Sequence, residues 1–309
     1  MLVGWLRPLS IDDVTPKGRA SLAVLGAAAL FGTSGTSKAL LVPDALPISV
    51  ASVRLIVGAV GLVLFIRWLG RTDQFKALLR RPIIWLMGAA VAGYQGMFFI
   101  ALDRTGIAVG TLVCLGSAPL LAGLLGWAVR EGAPGWLWAG VTALAVTGLA
   151  MLTLGSDQVP DPIGILAALG AAASYAAYTV LGARLARDGY DSSAVMAAPF
   201  AIAAVLLLPF LLSGGPWWVS LDGLVMAVWL GLAATTGAYI LFGKGLTLLQ
   251  PGHIATLTLA EPVVATVLGV VVLGEVISAR GWFGCLLVIV ALALLGVMEN
   301  RRTGAKVGA

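Results

Sequence analysis

Glu261 is a carboxylate set inside an apolar run from Ile254 to Leu273. A run of about 20 such residues is long enough to cross the bilayer as a helix. An ionisable group at mid-depth is costly to place there and points to function. Counted from His253, Glu261 lies roughly 12 Å along a helix that rises about 1.5 Å per residue. Three roles are open to it: binding a substrate ammonium group, carrying a coupling proton, or hydrogen-bonding, when protonated, to backbone freed by Pro262. Other polar groups recur in apolar surroundings: Ser34 beside Thr33, Thr36 and Ser37, then Tyr94 and Gln95, Tyr175 and Tyr178, and Tyr239. Tyr175 and Tyr178 are three apart and share one helix face. Phenols, an amide and small hydroxyls converging from several helices would line a mixed polar and apolar cavity, the usual character of a small-molecule site. The competing role for the hydroxyls is hydrogen bonding between membrane helices, worth about 0.6–2 kcal/mol each, and most of the Ser and Thr are assigned to it. The candidate substrate-binding set is therefore Ser34, Tyr94, Gln95, Tyr175, Tyr178, Tyr239 and Glu261.

Other chemistries find less support. Gly32-Thr33-Ser34-Gly35 resembles the Gly-x-Ser-Gly of rhomboid proteases, and His253 is the one histidine. A Ser–His dyad needs hydrogen-bond contact, and these two residues fall near opposite membrane faces. There is no His-Glu-x-x-His and no acidic pair spaced for a metal, so no catalytic residue, metal ligand or cofactor is assigned. Lys38, Arg54 and Lys244 lie within apolar runs. Snorkelling to the interface accounts for the two lysines. Arg54 is given a structural role, paired with Asp44 or an outer carbonyl. Cys114 and Cys285 read as packing residues.

The elements that must position these groups are helices. The chain is 60% hydrophobic and only 11% charged, against about 25% charged in a soluble domain. Its apolar runs are continuous, which excludes the alternating pattern of a membrane β-barrel. A net charge of +5 does not indicate nucleic acid, because the basic residues sit between apolar runs rather than on one face. Ten spans are expected: 21–42, 46–68, 82–102, 107–129, 135–154, 162–184, 192–212, 224–248, 253–274 and 280–298. Pro43, Pro47, Pro82, Pro134, Pro162, Pro216 and Pro251 fall at the breaks, where helices tolerate them. Pro119, Pro199, Pro209 and Pro262 fall inside spans and are candidate kinks. Trp5, Trp68, Trp85, Trp136, Trp138, Trp217, Trp218 and Trp282 lie near span ends, as interface anchors do. Met1 to Arg19 does not read as a cleaved signal peptide.

The ten spans divide into two similar fives. Ser117-Ala118-Pro119 and Ala122 recur as Ala260-Glu261-Pro262 and Ala265 at a constant offset, with Ala118 in place of the glutamate. Leu25-Gly26-Ala27-Ala28-Ala29 recurs as Leu169-Gly170-Ala171-Ala172-Ala173, Gly88 aligns with Gly231, and Gly135-Trp136 with Gly281-Trp282. Five is odd, so tandem copies enter the membrane in opposite senses. Placing the N-terminus in the cytoplasm leaves only Arg104 and Arg280 in outer segments, whereas Arg67, Arg71, Lys76, Arg80, Arg81, Arg130, Arg184 and Arg187 fall inside. That bias follows the positive-inside rule. The expected organisation is a cytoplasmic segment 1–19, a first five-helix repeat 20–155, an inverted second repeat 161–298 and a cytoplasmic tail 299–309. The fold class is an all-α integral membrane protein with ten transmembrane helices in two inverted five-helix repeats. Such repeats exchange conformations about a site near mid-depth, expected here between spans one, three, four, six, eight and nine.

The runs Gly245-Leu246-Thr247-Leu248-Leu249-Gln250-Pro251-Gly252, Leu259-Ala260-Glu261-Pro262-Val263 and Leu273-Gly274-Glu275, with Ala51-Ser52-Val53-Arg54 in span two, are similar to the ten-helix EamA-type branch of the drug/metabolite transporter superfamily. The resemblance covers about residues 20 to 298. It implies a secondary exporter of amino acids or other small metabolites in a bacterial-type inner membrane, both termini cytoplasmic. The expected partners are a small-molecule substrate, the lipid bilayer and a coupling proton, with no nucleic acid. The substrate expected from the residues is a neutral or aromatic amino acid: its ammonium meets Glu261 or tyrosine oxygens, and its carboxylate meets helix-end amides freed at the prolines. Efflux of a lipophilic cation, which needs only aromatics and Glu261, is the alternative. A membrane-embedded enzyme is the remote one. Reporter fusions after Arg81 and after Arg187 should be cytoplasmic and one after Asp157 external; a cytoplasmic reporter at Asp157 would end the inverted-repeat reading.

Overall fold

The computed structural model describes residues 15–131, 135–153 and 161–307 of the chain, with side chains as far as Met298. Among these residues there are helices and no strands: α1 Pro16–Leu41, α2 Pro47–Trp68, α3 Thr72–Leu79, α4 Pro82–Ala128, α5 Trp136–Thr153, α6 Pro162–Arg187, α7 Ser192–Leu207, α8 Leu221–Val228, α9 Ala238–Leu248, α10 Pro251–Leu257, α11 Ala260–Leu273 and α12 Ala279–Val307. Proline is the first helical residue of α1, α2, α4, α6 and α10. Its missing N–H costs nothing there, and its fixed φ favours the turn. Side chains cap other starts: Thr15 Oγ1 accepts from Gly18 N at 3.2 Å, Asp161 from Ile163 N at 2.8 Å and Asp191 from Ser193 N at 2.9 Å.

Nine helical stretches among the described residues are long and apolar enough to cross a membrane. One of them, α4, has 47 residues. Straight, it would measure roughly 70 Å at about 1.5 Å per residue, twice the bilayer core. It is in fact two limbs. Gly106 has φ 79° and ψ 161°, a conformation closed to other residues, and turns the chain back. The two limbs are spans three and four, so ten crossings result. Pro134 and Asp157 lie outside the described residues, as do Trp5 and the rest of the segment before residue 15.

Several boundaries differ from expectation. The seventh helix ends at Leu207, and Pro209 sits in a 3₁₀ turn, Leu208–Phe210, instead of inside a span. The last helix runs on to Val307, through most of the segment expected as a tail. The connection 69–81 contains α3, which follows Arg71 and lies beside α7. The eighth span is α8, a π-helical stretch over Trp229–Gly237, and α9. Its cause is local: Thr235 Oγ1 donates to the Leu230 carbonyl at 2.7 Å and Thr236 Oγ1 to that of Gly231 at 3.0 Å, each five residues back. Hydroxyls competing for ladder carbonyls loosen the turn.

Packing pairs helices across the chain. α1 lies against α9 and α11, α4 against α6, α7 and α10, α2 against α7 and the π stretch, and α5 against α12. Glycines make the closest crossings. Gly88 of α4 meets Ile202 of α7, and its sequence counterpart Gly231 meets Val57 of α2. A Cβ on Gly148 would lie 2.7 Å from the carbonyl oxygen of Gly284, so α5 and α12 touch backbone to backbone. In lipid, where apolar burial gives no advantage of protein over solvent, such close approach is what holds helices together. Hydroxyls add to it: Ser52 Oγ donates to Leu207 O at 3.0 Å and Ser49 Oγ to Leu211 O at 2.9 Å. Trp138 is a correction. It is not an interface anchor but a buried residue, 5% exposed, whose Nε1 donates to Thr256 Oγ1 at 3.2 Å. Trp68, Trp85, Trp136 and Trp282 are exposed near helix ends as expected.

Replacing Gly231 or Gly88 by Leu should overpack these crossings and destabilise the protein by about 1–3 kcal/mol. Gly140→Ala, where an added Cβ meets nothing within 4 Å, should leave stability unchanged or slightly raised. Thermal unfolding in detergent reads both.

Candidate functional site

Between these helices lies a cavity of 820 Å³. Its walls come from α1, α2, both limbs of α4, the end of α5, α6, Leu230 of the π stretch, α9 and α11. All seven residues expected from the sequence, Ser34, Tyr94, Gln95, Tyr175, Tyr178, Tyr239 and Glu261, line it. The lining reaches helix ends on one side only, at Lys38, Pro47, Ile107, Thr153 and Ile277. On the other side it stops at residues in helix middles, Tyr178, Tyr239 and Ala118. The cavity is thus open at one end and blind near mid-depth.

The blind end is aromatic. The Tyr175 ring lies 5.1 Å from that of Tyr178 and 6.1 Å from Tyr94. Tyr239 lies 5.0 Å from Phe31 and 4.1 Å from Phe200. Fully buried Phe242 backs Tyr175, Tyr178 and Tyr239. Edge and tilted contacts of this kind fix ring positions. The Tyr175 hydroxyl also shares a hydrogen bond of 3.1 Å with Thr258 Oγ1, which in turn donates to Ala255 O at 2.8 Å.

Thr258 and Leu259 separate α10 from α11 and interrupt the ninth span. Pro262 explains the interruption. It has no N–H to give the Thr258 carbonyl, so that carbonyl accepts from Glu261 N at 3.0 Å instead. The chain tightens and leaves the helical path there, and Glu261 opens the new helix with its side chain on the cavity wall. The kink read from Pro262 is thus a full break in the helix. Pro119 and Pro199 are accommodated within α4 and α7.

Arg54 is the residue that sequence reasoning misplaced. No ion pair with Asp44 occurs among the described residues, where the pairs found are Arg104–Asp161 and Arg187–Glu131. Arg54 lines the cavity, and its Nε is buried without a hydrogen-bond partner. It shares that space with Glu261 and Tyr239. A usable signal was present: Pro47, Val50, Ala51 and Arg54 fall at i, i+3, i+4 and i+7, one helix face, and all four line the cavity. Lys38 also lines it while its Nζ donates to the Pro43 carbonyl at 2.7 Å. Lys244 is exposed, as expected of a snorkelling lysine. Ser34 Oγ is buried at the cavity with no hydrogen-bond partner, which removes the Ser–His dyad. His253 is buried in α10 with its ring 6.2 Å from that of Trp138. Cys114 and Cys285 are buried free thiols.

The end opposite the mouth is cross-linked. Arg187, last residue of α6, pairs with the Glu131 carboxylate, donates from Nη1 to Glu131 O at 3.2 Å and from Nη2 to Leu249 O at 2.7 Å. One guanidinium so ties the end of α6 to the segments after α4 and α9. Nearby, Asp191 N donates to Gln74 Oε1 at 2.7 Å, and the Arg81 guanidinium stands 4.9 Å from the Tyr190 ring centre.

Known proteins place this architecture. The EamA-like transporter family matches over residues 162–297. The "Uncharacterized transporter YwfM" of Bacillus subtilis is 38% identical over 93% of this chain and 96% of its own length. A threonine/homoserine exporter, RhtA of Salmonella typhimurium, is 30% identical over 74% of this chain and 75% of its own. A solved crystal structure at 22% identity superposes with a TM-score of 0.77 over 92% of this chain and 98% of that one, which shows a shared fold. With a one-ended cavity inside an all-helical membrane fold, and with relatives of that kind over nearly its whole length, this chain is a transporter rather than an enzyme and belongs to the EamA-like transporter family.

Proposed function

We propose that the protein is a secondary carrier that exports neutral or aromatic amino acids across a bacterial-type inner membrane, with both termini in the cytoplasm. The observation that carries the reading is the pairing of the cavity walls. Phe31 and Tyr175, Ser34 and Tyr178, Leu115 and Thr258, Ala118 and Glu261 are counterparts at near-constant sequence offset, and every one of them lines the cavity. A site drawn from both residues 20–155 and residues 161–298 fits the interface of two repeats, where inverted halves exchange conformations and expose it to either face in turn. With the N-terminus inside, the mouth faces outward and the Arg187 strap is the closed inner gate.

The lining fits a small amphoteric solute. Its volume falls within the roughly 300–1,000 Å³ of small-molecule sites, and its aromatic floor suits an apolar or aromatic side chain. Glu261 is the one carboxylate at the blind end and takes the substrate ammonium or a coupling proton. The relative named as a threonine/homoserine exporter supports the amino-acid class. The second reading, efflux of a lipophilic cation, draws on the same tyrosines through cation–π contact. It has Arg54 against it, because a cationic substrate would face that guanidinium.

Single cysteines test the pathway. In a background carrying Cys114→Ala and Cys285→Ala, Ser34→Cys and Gln95→Cys should react with membrane-impermeant thiol reagents added outside, and substrate should protect them. Adding Arg187→Ala should raise labelling from the cytoplasmic face severalfold, since removing the strap shifts the population toward an inward-open form. If neither cysteine reacts from either side, the pathway lies elsewhere. In proteoliposomes, Glu261→Gln should lower amino-acid exchange severalfold while the melting temperature holds. Unimpaired exchange would take Glu261 out of the site.

A further inference from the structure

We infer that Arg54 is the carboxylate-binding pole of the cavity, so that the carrier recognises its substrate as a zwitterion held between Arg54 and Glu261. The inference rests on the amino-acid reading above and deepens it.

The charges on the wall are balanced: Lys38 and Glu275 toward the mouth, Arg54 and Glu261 deeper in. Toward the mouth, the Lys38 ammonium already binds the Pro43 carbonyl. Arg54 differs. It projects from α2, its Nε is shut off from solvent without a partner, and no carboxylate lies within ion-pair distance among the described residues. A buried guanidinium nitrogen left unbonded is costly, and the fork geometry of guanidinium matches a carboxylate with two parallel bonds. Glu261 enters the same cavity from α11, which packs against α1. The two residues are held on different helices, line one cavity and are not joined in a direct pair. A molecule with a carboxylate and an ammonium a few bonds apart can satisfy both at once. Its side chain then lies against Tyr175, Tyr178 and Tyr239.

That arrangement sets specificity as well as affinity. A simple amine leaves Arg54 unpaired and adds a like charge beside it. A dianion leaves Glu261 facing negative charge. An α-amino acid leaves neither, which is discrimination by the cost of the wrong partner. The carboxylate is therefore met by a side chain of α2 and not by helix-end amides at the prolines.

The test uses the full chain in sealed proteoliposomes, with counterflow of radiolabelled phenylalanine and with phenylalanine, phenylalaninamide and phenethylamine as competitors. The wild type should favour the acid over the amide and the amine by about 10- to 100-fold, the worth of one charge-assisted pair out of bulk water. Arg54→Gln should collapse that preference to near unity, mostly by weakening the acid, with the amide changed little. Arg54→Lys should restore part of it. Melting temperatures distinguish a misfolded variant from a specific loss. A wild type that does not separate acid from amide overturns the inference without any variant. If the wild type exchanges phenylalanine and Arg54→Gln keeps the preference, only the assignment of Arg54 fails. If the wild type moves phenethylamine but no amino acid, this inference fails together with the amino-acid reading.

Discussion

Inside hydrocarbon a backbone carbonyl has no water to turn to, and an unsatisfied one costs several kcal/mol. Two departures from regular helix among the described residues follow that requirement. Pro262 removes a donor from the ninth span, and the Thr258 carbonyl is recovered by Glu261 N. Thr236 loosens the eighth span by bonding the Gly231 carbonyl, yet the same hydroxyl also meets Gly58 O of α2 at 3.1 Å. The irregular backbone thus sits where a neighbouring helix or the cavity supplies partners. The break and the cavity are one feature: because α11 begins anew at Ala260, Glu261 can leave the helix-packed interior and face open space.

This explains why so much of the site was legible in the sequence. A lone carboxylate, phenols and an amide in apolar spans have few places to go in a bilayer, and all of those named from the sequence line the cavity. Periodicity and proline placement gave the ten crossings for the same reason, since lipid permits little besides uninterrupted helix. What stayed hidden depends on tertiary contact. Arg54 lies near the beginning of α2, where a basic residue ordinarily reaches the headgroups, and only the inward turn of its helix face makes it a cavity residue. Trp138 is near a span end like the other tryptophans, but Thr256 waits for its indole N–H. The π stretch needs two threonines to choose carbonyls five residues back, a choice no hydropathy pattern records.

The two ends of the protein are built by different physics. At the mouth the helices diverge around the cavity, and polar groups such as Lys38 bond locally to their own connections. At the closed end a single guanidinium collects a carboxylate and two carbonyls from two separate segments, at Glu131 and Leu249. Charge-assisted bonds of this sort are strong for their number but depend on geometry.

Glycine crossings lock distant parts of the chain together. Gly88 against Ile202 and Gly231 against Val57 bring helices of one repeat onto helices of the other with no room for a methyl group. Contacts this close lose about a quarter to a half of their dispersion energy on separation by 0.5–1 Å, so parting α4 from α7, or the π stretch from α2, carries a penalty. Beyond these crossings the cavity is lined by the end of α1 near Lys38, the limb of α4 after Gly106, and α11 beyond its break at Thr258. Those segments carry the positions where the backbone is already interrupted, at Gly106 and at Pro262. The interruption at Pro262 is the one that puts Glu261 on the cavity wall.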